Sequence, residues 1–309
     1  MEHIQKVTIL GAGAMGAYFA TRFFAAPGFS TSVVARGERG RRLEKDGLIV
    51  NGKQYAVPVS HPDKTDEPAD LIIVALKHHH LPEATGDLKY LVGEKTTILS
   101  VMNGLDSEPY IGNIYGMDKI LYAVSVGIDA LREGNRVNYT KPGTHLFGEA
   151  VNETVSDRVL RVQEAFDRAG IVYETPPDMI RILWWKFMVN VGVNQASAVM
   201  GAPYGVFQTS PEARAVMESL MREVISLAGP AGVNLEERDV EEWDKVMKTL
   251  SPEGKTSMLQ DLEAGRKTEV EVFGGKVVAL SKQYEIPTPV NETLLRIIQV
   301  MEKRNQPLP

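Results

Sequence analysis

Between Val7 and Phe24 the chain reads VTILGAGAMGAYFATRFF, a short apolar run broken at Gly11, Gly13 and Gly16 and resumed as a segment of small and apolar residues. Glycines at G-x-G-x-x-G between a strand and a helix restrict the fold more than any other stretch here. The first allows a tight turn, the second lets the backbone approach a pyrophosphate, and the third lets the helix pack closely on the strand. The helix N-terminus then faces the anion. The expectation is a βα unit with a dinucleotide seated on Gly11, Ala12, Gly13, Ala14, Met15 and Gly16. A glycine-rich turn with no ligand is the alternative, and the flanking strand and helix argue against it.

The remainder of the first half keeps that rhythm. The runs VTIL, TSVV, LIIVAL and TTILSVM alternate with helix-like segments, as βα units feeding a parallel sheet do. GLIVNGKQYAVPV carries two alternating segments around Asn51-Gly52 and predicts a small hairpin in or beside that sheet. EGNRV, Glu133 to Val137, predicts another turn. Near ETPPDM, Glu174 to Met179, the pattern changes to apolar residues at three- and four-residue spacing, as in EARAVMESLMREVISLAGPAG, EERDVEEWDKVMKTL and NETLLRIIQVMEKRN. The boundary is placed there, giving an α/β domain over 1–176 and an all-helical domain over 177–309.

Composition narrows the class. A length of 309 residues suits two ordinary domains, and 43% hydrophobic with 24% charged residues is the balance of a soluble globular chain. A net charge of -6 and a pI near 5.6 argue against a nucleic-acid partner. There is no cysteine, which excludes disulfides and thiolate chemistry and fits a reducing compartment. MEHIQKVTILGAGAMG has an acid at once and only a short apolar run, so no signal peptide or membrane span is expected there and the cytoplasm is the default location. The C-terminal amphipathic segment ETLLRIIQVMEKR could cover the core or form a homodimer face.

The second strand ends in ARGERGRR, with Ala35 and Arg36 where an NAD-binding chain usually places an acid for the ribose hydroxyls. An acid would repel a 2'-phosphate, whereas a guanidinium can grip it with two hydrogen bonds, so Arg36 points to NADP over NAD. A solvated loop charge is the bland alternative. Lys77 and Asn103 follow the third and fourth runs, so all these positions fall at strand ends, which in a parallel sheet share the ligand-binding edge. His78 to His80 look like a metal tract, but consecutive side chains diverge and no metal is expected.

In WWKFMVNVGVNQAS, Trp184 to Ser197, one lysine and two asparagines sit four apart among apolar residues. Such groups are costly to bury unless paired with other side chains or a ligand. Period-two valines favour a strand, yet Lys186 and Asn194 would then lie about 27 Å apart, against about 12 Å on a helix. The apolar context from about Ile180 to Met200 is also too long for an ordinary strand, so a helix is expected, with Lys186, Asn190 and Asn194 in one stripe. A structural stripe pairing with another helix stays open.

LGAGAMG, VMNG, WWKFMVNVGVNQASAVMG and SMLQDLEAGRKTEVE together resemble the ketopantoate reductase (2-dehydropantoate 2-reductase) family over essentially the whole chain. The family pattern of a lysine, asparagines four and eight residues on, then a serine and a glutamate twelve beyond it is met by Lys186, Asn190, Asn194, Ser257 and Glu269. The resemblance implies a Rossmann-type domain followed by a helical domain, with NADPH and ketopantoate in the cleft between them. It implies Lys186 as general acid and Asn190, Asn194 and Ser257 as substrate holders. Glu269 would touch cofactor or the lysine and join the catalytic set; Arg36, Lys77, Asn103 and the Ala123 main chain would serve NADPH, with Asn103 also reaching substrate. Taken without the family, Ser257 reads as a helix cap and Glu269 as a solvated charge. The chain departs from the pattern at Tyr204, where members often carry a substrate-contacting asparagine.

The implied reaction is NADPH-dependent reduction of 2-dehydropantoate to pantoate, in pantothenate and coenzyme A biosynthesis. Lysine suits proton delivery to the forming alkoxide: partial burial would lower its pKa toward a useful range, and Glu269 nearby would oppose the drop. The alternatives are a paralogous reductase of another 2-oxo acid, which Tyr204 favours, and a non-catalytic NADP-sensing protein, which would need no proton donor.

Overall fold

The computed structural model describes residues 3–63, 67–134 and 136–304. The chain divides into two compact units, Met1–Ile180 and Arg181–Pro309. The first opens with β1 (Lys6–Leu10), α1 (Ala14–Ala25), β2 (Ser30–Val34), α2 (Gly37–Asp46), β3 (Leu48–Val50), β4 (Lys53–Tyr55), β5 (Val59–Ser60) and β6 (Leu71–Val74). It continues with α3 (Leu81–Thr85), β7 (Thr97–Ser100), α4 (Ser107–Tyr115), β8 (Ile120–Ile128), β9 (Leu131–Glu133), β10 (Arg136–Asn138), β11 (Pro142–Gly148), α5 (Asp157–Ala169) and β12 (Tyr173–Glu174).

The main sheet runs β12-β11-β8-β7-β6-β1-β2-β5. From β5 to β8 every neighbouring pair is parallel. At β11 the direction reverses. The strands are apolar on both faces because both are covered. Val7, Ile9, Ile73 and Leu99 pack with Phe19 of α1 and Phe166 of α5, while Leu10, Ile72, Val74 and Ile98 pack with Leu81, Leu88 and Ile111 on the other side. Alternate residues of one strand thus feed two cores.

The Asn51-Gly52 hairpin forms as β3 and β4, paired antiparallel, with both turn residues at positive φ. It does not join the main sheet. It heads a second sheet ordered β4-β3-β10-β9, and only the end of the same segment, β5, extends the main sheet beside β2. The EGNRV turn links β9 to β10, although Asn135 lies outside the described residues.

The second unit is helical among its described residues. α6 (Met179–Met200) crosses into it, followed by α7 (Tyr204–Thr209), α8 (Pro211–Ala228), α9 (Glu237–Met247), α10 (Ser257–Glu263), α11 (Lys276–Tyr284) and α12 (Pro289–Arg304), with a wide π turn at Glu271–Gly275. Asn305, which closes NETLLRIIQVMEKRN, lies outside the described residues. α6 is helical despite its valines because Val189, Val191 and Val193 are all buried, so packing outweighs the modest helix penalty of β-branched residues. Gly192 lets α8 come close: a Cβ there would stand 2.6 Å from the Met221 side chain. Among the described residues no helix is long and apolar enough to cross a membrane.

Candidate active site

The glycine loop is shaped by two contacts and one open position. Gly11 has φ +103° and packs on the Ala75 carbonyl, and a Cβ on Gly16 would lie 1.7 Å from the Gly11 oxygen. Both glycines are therefore required by the protein itself. Gly13 differs: its backbone is ordinary, at φ -77°, and a Cβ would meet nothing nearer than the Ala75 oxygen at 3.9 Å. Nothing in the fold demands a glycine there, and the absence of a side chain keeps the start of α1 open to an anion. These residues fit a dinucleotide pyrophosphate.

On either side of β1, which leads into that loop, the parallel strands β2, β6, β7 and β8 carry the other expected positions. Arg36 caps α2 after β2, Lys77 follows β6, Asn103 follows β7, and Ala123 lies buried within β8. Arg36 is half exposed and forms an ion pair with the nearly buried Asp87. This pairing raises the guanidinium pKa further, with smaller contributions from the carboxylates of Asp63 and Glu83. An arginine expected as a simple phosphate clamp thus stands in acidic company, which the sequence did not reveal because Asp87 is 51 positions away. His79 and His80 do not diverge as expected; on a 3-10 turn their rings lie 4.1 Å apart. The described residues hold no group of three or more side chains suited to a metal.

A carboxyl that sequence reasoning missed lies five residues after Asn103. Glu108 is 1% exposed, accepts from the Ser107 hydroxyl at 2.7 Å, and is pushed up to about 7 by burial. Ser107 in turn stands 2.8 Å from Ser100 at the end of β7.

In the second unit, α6 carries the lysine and asparagines at one-turn intervals. Lys186 is half buried, and burial lowers its pKa to about 8. It has no hydrogen-bond or ion-pair partner among the described residues, and no carboxylate contributes to its shift. The expected opposition from Glu269 is therefore not met. Asn190 and Asn194 are buried. The Asn194 amide donates to Asn190 Oδ1 at 3.4 Å, while Asn194 Oδ1 accepts from Ser257 Oγ at 3.1 Å and from the Met258 N–H at 3.3 Å.

Ser257 can make that contact because it is not the helix cap. Thr256 caps α10, accepting from the Leu259 N–H at 3.3 Å, so the Ser257 hydroxyl turns to α6. Tyr204 sits against Gly254 on the same approach to α10; a Cβ on Gly254 would lie 2.9 Å from its ring. Glu269 is half buried in the bend before the π turn, and Thr268 before it is held by Glu302 at 2.7 and 2.6 Å. Gly274 of that turn approaches Gln195 so closely that a Cβ would stand 2.4 Å from its Oε1. Gln195 itself is the bland buried amide of the stretch, bonded at 2.8 Å to Asn291 and through it to Glu223 at 2.7 Å.

A parallel sheet whose carboxyl edge opens on a glycine cradle of this shape places the chain among the Rossmann-type oxidoreductases. Residues 7–152 match the family described as ketopantoate reductase PanE/ApbA, and residues 178–302 match its C-terminal part. The chain belongs to the ketopantoate reductase family. The 2-dehydropantoate 2-reductase of Aquifex aeolicus (strain VF5) is 26% identical over 98% of this chain and 98% of its own. Among solved structures, a PanE/ApbA family ketopantoate reductase from Ralstonia eutropha JMP134 has a TM-score of 0.85 at 25% identity, covering 98% of this chain and 100% of that one. A D-mandelate dehydrogenase solved with NADH and anilino(oxo)acetate has a TM-score of 0.89 at 20% identity, covering 97% and 99%.

Proposed function

We propose that the protein reduces the ketone of a branched 2-oxo acid, 2-dehydropantoate first among them, using NADPH, and so supplies pantoate for coenzyme A synthesis. The single observation that carries this reading is Lys186, an unpaired ammonium on the same helix face as two buried amides, in a family whose relatives are named for that reaction. The unit Met1–Ile180 would hold the nucleotide and Arg181–Pro309 the acid–base chemistry. Gly11 to Gly16, Arg36, Lys77, Asn103 and the Ala123 main chain would hold the cofactor.

When bound, the reduced nicotinamide supplies the hydride. Lys186 Nζ–H donates to the ketone oxygen and releases its proton as the carbonyl carbon becomes tetrahedral, so the oxygen never carries a full negative charge. A pKa of about 8 keeps the ammonium protonated at neutral pH while making it a stronger acid than a solvated lysine. Asn190, Asn194 and Ser257 offer donors and acceptors to the substrate carboxylate and hydroxyl. Reprotonation from solvent resets the lysine.

A second reading, a reductase of a different 2-oxo acid, is favoured by Tyr204, whose ring packs against Gly254 at a position where relatives often carry asparagine. A panel of 2-oxo acids, with nicotinamide absorbance followed for NADPH and for NADH, tests both. Highest kcat/KM with 2-dehydropantoate supports the first reading, another acid supports the second, and no turnover with any acid removes both.

A further inference from the structure

The strand order separates the two halves of a dinucleotide. Arg36 follows β2, on one side of β1 and its glycine loop, whereas Asn103 follows β7 and Ala123 lies in β8 on the other. With the pyrophosphate on the loop and a 2'-phosphate at Arg36, the side of β7 and β8 is left for the nicotinamide half. Asn103 stands in the turn between β7 and α4, and it can act together with the Ala123 main chain only while that turn and β8 keep a fixed spacing.

A buried polar chain holds the spacing. Ser100, the last residue of β7, accepts from the Met102 N–H at 3.4 Å and stands 2.8 Å from the hydroxyl of Ser107, the first residue of α4. Ser107 gives its one proton to Glu108 at 2.7 Å, so Ser100 is the donor to Ser107. The Glu108 carboxyl also draws on backbone N–H groups, its own and that of Ala123. Ser100, Ser107, Glu108 and Ala123 are all buried. A carboxyl at this depth costs free energy that an apolar side chain would not. What it supplies is an acceptor shared by two elements, the start of α4 and the middle of β8.

We propose that Glu108 is a positioning residue for the nicotinamide half of the cofactor, fixing the Asn103 turn against β8 through Ser107 and the Ala123 N–H. It acts through Asn103 and Ala123, not through contact with the reacting atoms. The role holds only where those two serve the nucleotide, as proposed above.

The test is calorimetric titration of the full chain with two probes: NADPH, and 2'-phospho-ADP-ribose, which keeps the pyrophosphate and the 2'-phosphate but lacks the nicotinamide. Wild type is compared with Glu108→Ala, Glu108→Gln, Ser107→Ala and Thr96→Val. Thr96 is the stability control: its buried hydroxyl bonds the Ala69 carbonyl at 2.6 Å and the Gly93 N–H at 2.8 Å, at the end of β7 away from Asn103. Glu108→Ala should weaken NADPH about tenfold or more and Ser107→Ala about threefold or more, while 2'-phospho-ADP-ribose changes less than about twofold in both. Glu108→Gln, which keeps an acceptor, should stay within about threefold of wild type for NADPH, and Thr96→Val within about twofold. Should Glu108→Ala fail to fold, Ser107→Ala and Glu108→Gln carry the comparison. Equal weakening of the two probes, weakening of neither, or an equal loss of NADPH in Thr96→Val overturns the positioning role and leaves the cofactor reading standing. A wild-type chain that binds neither probe removes the cofactor reading, and the role of Glu108 with it.

Discussion

Ser257 Oγ donates to Asn194 Oδ1 at 3.1 Å, and the Met258 N–H reaches the same oxygen at 3.3 Å, so one amide ties the start of α10 to the middle of α6. Removing it by Asn194→Ala strands two donors and should cost about 2 kcal/mol of stability, whereas Ser257→Ala removes one bond and should cost about 1 kcal/mol. The double variant should be little worse than Asn194→Ala, because the two changes remove the same interaction. Chemical denaturation of the four proteins measures this; strictly additive losses would show that the contact contributes nothing.

The glycine loop makes a paired prediction. Gly16→Ala drives a Cβ to 1.7 Å from the Gly11 oxygen, so the backbone must move and the protein should lose several kcal/mol or fail to fold, on the order of other severe overpacking. Gly13→Ala has no such conflict and should melt near wild type while binding the dinucleotide at least tenfold more weakly. Equal melting losses for both would mean that Gly13 is structural after all. Thermal melts with nucleotide titrations decide.

Nucleotide choice should respond to Asp87. With Asp87→Asn the Arg36 guanidinium is released from its partner, and because the pair is half exposed the gain is modest, up to roughly fivefold tighter NADPH binding with NADH unchanged. A fall in NADPH preference would show that Asp87 positions Arg36 for phosphate and does not compete for it.

Turnover should depend on pH through Lys186. The acid is needed protonated, so kcat should be level below pH about 8 and fall roughly tenfold per unit above it. The sign for stability is opposite: between about 8 and the ordinary lysine value, the unfolded chain holds a proton that the folded chain has lost, so this group makes folding more favourable as pH rises. A declining rate accompanied by undiminished stability therefore points to catalysis, and a flat rate to pH 10 would remove Lys186 as the titrating acid.

The parallel sheet was legible in the sequence because VTIL, TSVV, LIIVAL and TTILSVM are short, apolar and regularly spaced, and because the glycine motif fixes the turn and helix after the first strand. The helix of Lys186 was legible from length and reach, against its period-two valines, since burial on several sides overrides local preference. The features that stayed hidden depend on long-range pairing. Residues 48–55 look like part of the main sheet until β10 claims them, the Arg36 partner lies in a turn far along the chain, and Thr256 takes the cap that Ser257 could equally have supplied. Glu108 gave no signal, because a carboxylate beside a helix start is ordinary until packing removes its water.

The most direct test of the central claim is the single-turnover rate of Lys186→Ala at pH 7, measured with saturating 2-oxo acid and NADPH. With Lys186 as proton donor the rate should fall by about 10² to 10⁴-fold while NADPH binding changes less than about twofold. A rate within about twofold of wild type, with NADPH still bound, would contradict the assignment of Lys186 as the acid.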